Sequence, residues 1–290
     1  MFSKEKIFRL GKFLAKLAIT FAALYLVSRQ IDLNALKALF FQSQIAFLIL
    51  ALALFIVAKL LEARRSNIFF RAIDIHMSEA MNTRLYSLGM FYNLFLPGGI
   101  GGDSYRVYWL KKKFQTSLKS LILAFLLNRV NGLLALVSLL LISGIYVSHI
   151  HPLLSYAFLL IPIGLAGYYL VLRRFFARYT KTAVPSTAYS FVIQLLQLAS
   201  AHFVLYSFGI DQNFGAYWFI FLLSGIAFII PITVGGVGSR ELVFLYGADL
   251  LAVDLNSCIA LSLVIYCMRA FVSLVGIYFM MYPGKIGDKP

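Results

Sequence analysis

The sequence predicts an all-α, polytopic integral membrane protein, and two observations predict it. Of its 290 residues, 61% are hydrophobic and 13% are charged, with a mean hydropathy of +0.87. Soluble domains hold about 45–50% apolar and about 25% charged residues. The apolar residues are also gathered into uninterrupted runs of about 20, the length a helix needs to cross a bilayer. Together these exclude an ordinary soluble globule, and a disordered chain, which would be poor in apolar side chains. The net charge of +15 does not call for a nucleic-acid partner. Its basic residues lie between the apolar runs, where cytoplasmic loops of membrane proteins collect Lys and Arg.

The first, short span is expected at 11–27, after Lys4, Lys6, Arg9 and Lys12. That order imitates a secretory signal. No small-x-small cleavage site follows before Ser28, Arg29 and Gln30, so the segment reads as a retained span. Further spans are expected at 40–60, 118–142, 152–172, 186–208 and 257–281. Two more apolar regions are interrupted. One, around 81–114, breaks at Pro97-Gly98-Gly99-Ile100-Gly101-Gly102; the other, around 214–251, breaks between Pro231 and Gly238, including Gly235 and Gly236. Proline removes an amide donor and glycine resists helix, so neither region is expected to be one straight helix. Each limb is about half a bilayer long, and each region reads as a re-entrant helical hairpin.

This arrangement sorts the charges. With the N-terminus in the cytoplasm, six crossings and two hairpins put Lys111, Lys112, Lys113, Arg173 and Arg174 at cytoplasmic ends, together with Lys59, Arg64 and Arg65. Arg29 and Lys37 fall outside, and Arg106, Arg129, Arg240 and Arg269 fall at membrane depth. Such an asymmetry supports cytoplasmic N- and C-termini in an inner membrane. The two hairpins then open to opposite sides. Their tips read alike: Gly98-Gly99-Ile100-Gly101 precedes Ser104 and Arg106, and Gly235-Gly236-Val237-Gly238 precedes Ser239 and Arg240. Opposed, similar breaks suggest inverted repeats meeting near the midplane. No loop is long enough for a soluble domain, so residues 1–290 read as one transmembrane domain.

The chemistry is expected at the tips. Non-helical backbone at membrane depth must be buried in protein or line a wet cavity. Each second limb starts a helix there, with Asp103 or Ser104 suited to cap the first and Ser239 the second. A helix N-terminus attracts anions, yet Arg106 and Arg240 sit in those first turns. Something negative is therefore expected beside them: Asp103 and Glu241, or a ligand phosphate. Arg129, between Asn128 and Asn131, and Arg269, on a stripe with Ser262, Tyr266 and Ser273, also need a partner or a cavity. Gln194 and His202, on one face of the fifth span, suit interhelical hydrogen bonds. Glu241 is the one acid expected deep in the outer half. Glu62, Asp74 and Glu79 are expected at the rim, without paired spacing. No Gly-x-Ser-x-Gly, His-Glu-x-x-His or P-loop motif occurs. Cys258 and Cys267 are about 13 Å apart on one helix, too far for a disulfide. No metal or cofactor is expected.

The stretch from Tyr92-Asn93 through Pro97-Gly98-Gly99 to Gly102-Asp103-Ser104-Tyr105-Arg106 resembles the first motif of the lysylphosphatidylglycerol synthase transmembrane-region family, a flippase-like family. Gly235-Gly236-Val237-Gly238-Ser239-Arg240-Glu241 resembles its second motif, with Ile232-Thr233-Val234 separating the glycines from the proline that usually adjoins them. Asn128-Arg129 and Arg269 stand where the family carries arginines, and the segment from Glu62 to Arg65 resembles its early arginine-bearing stretch. The named synthases also carry a large soluble aminoacyl-transfer domain, which this sequence does not contain. The resemblance therefore implies only the lipid-moving part, with a headgroup held by Arg106, Arg129, Arg240, Arg269, Asp103, Ser104, Ser239 and Glu241. The expected partners are membrane lipids with an anionic or modified headgroup. The alternatives are an intramembrane lipid-modifying enzyme using Asp103 or Glu241 as acid or base, and a non-catalytic subunit of an envelope complex. Oligomeric state and protein partners stay open.

Overall fold

The computed structural model describes residue 25 and residues 32–95, 101–229 and 238–287. The described chain is helical throughout, and five stretches are long and apolar enough to cross a membrane: Ile45–Arg71, Leu118–Val147, Pro152–Phe175, Ala177–Ser207 and Leu255–Met281. These correspond to five of the six expected spans. The sixth, 11–27, lies outside the described residues apart from Tyr25, which is helical.

In chain order the α-helices are α1 (Leu33–Gln42), α2 (Ile45–Arg71), α3 (Glu79–Phe95), α4 (Gly101–Phe114), α5 (Leu118–Ser143), α6 (Leu160–Phe175), α7 (Ala183–Ser207), α8 (Phe214–Ile229), α9 (Ser239–Leu250), α10 (Leu255–Ser273) and α11 (Val275–Met281). Short polar side chains start several of them. Asp32 caps α1 by accepting from the amides of Asn34 at 2.8 Å and Ala35 at 3.2 Å. Ser117 caps α5 and Asp254 caps α10 in the same manner. Two of the crossings begin as 3-10 turns, Pro152–Leu159 before α6 and Ala177–Thr182 before α7.

The second crossing differs from expectation. Hydropathy falls at Lys59, which suggested an end at residue 60, yet α2 runs unbroken to Arg71. The segment Lys59 to Arg65 contains neither glycine nor proline and is made of good helix formers. Within it Glu62 and Arg65 take partners from other helices and Lys59 pairs with Glu62, so these charges do not end the helix.

Each interrupted region consists of two helices packed on one another, α3 against α4 and α8 against α9. Most of the tips, including Pro97, Gly98, Gly99, Gly235 and Gly236, lie outside the described residues. Helices α2 and α7 form the most extensive described helix–helix contact, and α5 packs against both. Helix α10 touches both α3 and α9 and so joins the two interrupted regions.

The buried apolar side chains fall into two clusters. One gathers α7, α8, α9 and α10 around residues such as Ile220, Phe244 and Leu261. The other gathers the end of α2 with α3, α4 and the start of α5 around Phe69, Leu88, Trp109 and Phe125. Helix α2 contributes Phe55 to the first and Phe69 to the second. Between them on α2 lie Lys59, Glu62, Arg65 and Ser66. A polar layer thus separates two apolar cores, and that layer is the candidate site. Helix α6 stands outside it: none of the most apolar window of Pro152–Phe175 is buried, against 56% for Leu255–Met281.

Candidate functional site

The first region builds its half of the site by backbone contact. A Cβ on Gly102 would lie 1.8 Å from the carbonyl oxygen of Gly89, so α3 and α4 touch where neither carries a side chain. The amide of Gly102 donates to Asn93 Oδ1 at 2.9 Å. This close approach fixes the first turn of α4 and directs Asp103 and Arg106 toward α5 and α2. Asp103 Oδ2 accepts from Arg129 Nε at 3.0 Å and NH2 at 2.6 Å. Its other oxygen lies 3.7 Å from Arg106 NH1. Arg106 is 3% exposed. It donates to Ser66 Oγ at 3.1 Å and lies over the rings of Phe70, Tyr86 and Phe125 at 5.6, 5.1 and 4.9 Å. An aromatic face is negative and partly replaces water around a buried guanidinium.

The second region builds its half by a glycine cap. Gly238 has φ +92°, a conformation that side-chain-bearing residues rarely adopt. Its amide donates to Glu241 Oε2 at 2.7 Å, and Glu241 Oε1 accepts from Ser262 Oγ at 3.0 Å. The cap is therefore Gly238 with Glu241. This corrects the expectation for Ser239, which forms the first residue of α9 and not its cap. Likewise Asp103 and Ser104 lie within the first turn of α4, which begins at Gly101, and Asp103 is committed to the arginines. Ser104 is exposed.

Arg240 was expected to pair with Glu241 or a ligand. Glu241 is turned to Gly238 and Ser262, and among the described residues no carboxylate lies within ion-pair distance of Arg240. Arg240 is 8% exposed, lies over Phe221 and Phe244 at 5.2 and 5.5 Å, and buries an Nε that has no hydrogen-bond partner.

Between these halves sits a group that the sequence reading placed elsewhere. Lys59 and Arg65 were assigned to a cytoplasmic end and Glu62 to the rim. All three lie within α2, and the side chains of Lys59 and Glu62 are 12% and 17% exposed. Glu62 Oε1 accepts from Lys59 Nζ at 2.7 Å and from Gln197 Nε2 of α7 at 2.7 Å, and Oε2 accepts from the Tyr86 hydroxyl of α3. Arg65 donates to Asn128 Oδ1 at 3.0 Å and to Ser190 Oγ at 2.8 Å. Ser190 in turn donates to Asn131. One signal for this group was legible: Lys59, Glu62 and Ser66 recur at three- and four-residue spacing, the stripe of one helix face. Tyr86 and Gln197 carry no such signal, because their contacts are interhelical.

Arg269 lies between the two halves by its place in the fold. It stands on α10, the helix that touches both α3 and α9. The predicted stripe on α10 is divided in use. Ser262 is buried and serves Glu241, Tyr266 is 40% exposed, and buried Ser273 donates to the backbone of Ala270. Arg129, expected deep, is 44% exposed on its side chain and reaches Asp103. Gln194 donates to the Gly132 carbonyl at 3.4 Å, whereas His202 packs among Phe203, Phe214 and Trp218.

The layer thus holds six cations, Lys59, Arg65, Arg106, Arg129, Arg240 and Arg269, against three carboxylates, Glu62, Asp103 and Glu241. A surplus of positive charge inside an apolar fold attracts an anion, since desolvated cations are costly without a counter-charge. The fold is that of a polytopic, all-helical membrane protein, and the polar layer is a buried cluster of cations in excess over carboxylates. A family model described as the lysylphosphatidylglycerol synthase TM region matches residues 13–184, and the chain belongs to that family. This makes it a membrane protein related to lipid modification or transport. The match includes the first interrupted region, the Glu62 to Arg65 segment and Asn128-Arg129. It ends before Arg240 and Arg269, whose roles rest on their own geometry. A search of curated proteins returned no match.

Proposed function

We propose that the protein moves the headgroup of an anionic or modified lipid between the leaflets of the inner membrane. The observation that carries this reading is Arg240: a buried guanidinium over two aromatic rings, with an unpartnered Nε and no carboxylate in ion-pair contact. A phosphate would supply the missing charge and acceptor atoms. In this reading the headgroup passes through the polar layer while its hydrocarbon chain stays in lipid. The two interrupted regions act as inverted, re-entrant repeats that expose the layer to each side in turn. Asp103 and Glu62 are resident counter-anions that keep the empty layer tolerable. The alternative of an enzyme with Asp103 or Glu241 as acid or base is less favoured, because both carboxylates already accept two hydrogen bonds each.

The test is leaflet exchange of labelled lipids in proteoliposomes, using a zwitterionic phospholipid, phosphatidylglycerol, aminoacylated phosphatidylglycerol and a polyprenyl phosphate. One anionic or modified class should move, and Arg240→Ala should slow it by at least about tenfold, the worth of one charge-assisted contact. An unchanged rate in folded Arg240→Ala protein would remove Arg240 from the mechanism. No movement of any lipid by folded wild-type protein would favour the partner-subunit reading.

A further inference from the structure

A groove on the outer face of α2 and α3 lies apart from the polar layer. It encloses about 480 Å³ and is lined by Val57, Leu60, Leu61 and Arg64 of α2 and by Glu79, Ala80, Thr83 and Arg84 of α3. That volume falls within the roughly 300–1,000 Å³ typical of ligand sites. The sequence makes the groove. Val57, Leu60, Leu61 and Arg64 follow the spacing of one helix face, opposite the face that carries Lys59, Glu62 and Ser66. Ala80 and Thr83 are small, and Thr83 folds its hydroxyl back onto the Glu79 carbonyl at 2.8 Å, so α3 offers a low wall.

The charges are at one end. Glu79 Oε1 is held by Arg71 at 2.8 Å and Asn67 at 2.9 Å, and does not serve the groove's own cations. Arg84 gives NH1 to the Lys285 carbonyl at 2.9 Å. Arg64 is exposed and makes no hydrogen bond or ion pair among the described residues. Depth supports one kind of occupant. Arg64 is about 28 Å along α2 from Ile45 at 1.5 Å per residue, close to the roughly 30 Å hydrocarbon thickness of a bilayer. It therefore stands at the level of lipid phosphates when Ile45 stands at the opposite boundary. Val57 and Leu60 lie one to two turns deeper, at the level of acyl methylenes.

We infer that this groove docks one anionic phospholipid, with its phosphate between Arg64 and Arg84 and an acyl chain along Val57, Leu60 and Leu61. The inference does not depend on transport, since the groove and the polar layer occupy opposite faces of α2. A lipid carrying net negative charge is favoured over a zwitterionic one because the groove offers two guanidinia, while its one carboxylate, Glu79, is paired through Oε1 with Arg71 and keeps only a buried Oε2 unpartnered.

The experiment uses the full chain in nanodiscs containing phosphatidylglycerol or phosphatidylcholine that bears a photoreactive diazirine on one acyl chain. Cross-linked peptides are mapped by mass spectrometry. Phosphatidylglycerol should label the peptide that contains residues 57–61. Arg64→Gln with Arg84→Gln should reduce that labelling by roughly 25-fold, on about fivefold per cation at the membrane surface. Ala80→Phe, which fills the groove without touching charge, should also abolish it, and Arg240→Ala should leave it intact. Arg64→Gln alone preserves the Arg84 contact to Lys285 and should reduce labelling about fivefold. Equal labelling by phosphatidylcholine, or undiminished labelling in the charge variants, overturns the inference. Loss of labelling in Arg240→Ala would place the lipid in the polar layer and overturn it equally. Loss of lipid exchange with groove labelling intact would defeat the transport reading alone.

Discussion

The two interrupted regions carry similar motifs and bury an arginine in each, yet they treat that arginine differently. Arg106 is enclosed by three aromatic rings, donates to Ser66 and has Asp103 at 3.7 Å. Arg240 has two rings and a neighbouring Glu241 engaged with Gly238 and Ser262, with no carboxylate in ion-pair contact among the described residues, while both arginines bury an Nε that has no hydrogen-bond partner. The first region is internally neutralised, and its backbone is locked by the Gly89–Gly102 contact. The second relies on a left-handed glycine and leaves its arginine without a carboxylate in ion-pair contact among the described residues. Similar sequence motifs therefore surround their arginines differently, and under the proposed function Arg240 is the one that receives the anion. A carboxylate that serves its own helix cap is lost as a counter-ion for the residue beside it.

Three substitutions break or sharpen this contrast. The largest effect is expected from Gly102→Ala. Its Cβ would meet the Gly89 carbonyl oxygen at 1.8 Å, a backbone atom that cannot rotate away. Overpacking of this kind costs about 3 kcal/mol or more, and thermal melting in detergent should fall accordingly. A wild-type melting temperature would mean that α3 and α4 separate freely. Next comes Asp103→Asn, which leaves Arg106 and Arg129 without their shared carboxylate. Removing one partner of a buried pair costs about 3–5 kcal/mol, and the exposure of Arg129 places this case near 2 kcal/mol. Adding Arg129→Gln should recover part of the loss in the same melt; no recovery would show that Asp103 serves Arg106 alone. The smallest effect is expected from Gly238→Ala, where a left-handed residue gains a Cβ at about 1–2 kcal/mol. That variant should melt slightly earlier yet slow lipid exchange, because it tilts the turn that presents Arg240. A variant with the wild-type exchange rate would separate the cap from the site.

Much of the architecture was legible in the residues. Five expected spans recur because runs of about 20 apolar residues have few alternatives in a bilayer. Breaks at the Pro-Gly and Gly-Gly segments were legible for a similar reason, since glycine and proline act locally. The arginines of the site were legible because a charge among apolar residues is conspicuous. The enclosure of Lys59, Glu62 and Arg65 was not legible, because hydropathy cannot distinguish a charge that faces solvent from one that neighbouring helices satisfy. Ser239 was misassigned as a cap because propensity favours serine, whereas the positive φ at Gly238 let a glutamate do the work from three residues on.

Composition and periodicity by themselves determined the membrane class and the positions of most helices, since these depend on local apolar length, and the resemblance of motifs carried in short stretches pointed to the family. Tertiary structure alone decided which partner each charge took. Asp103 chose Arg129 across helices, and Glu62 gathered Lys59, Tyr86 and Gln197 from three helices. Arg240 was left facing aromatic rings. Electrostatic pairing in an apolar interior depends on distances of a few ångströms between helices far apart in the chain, and no spacing along the sequence encodes those distances.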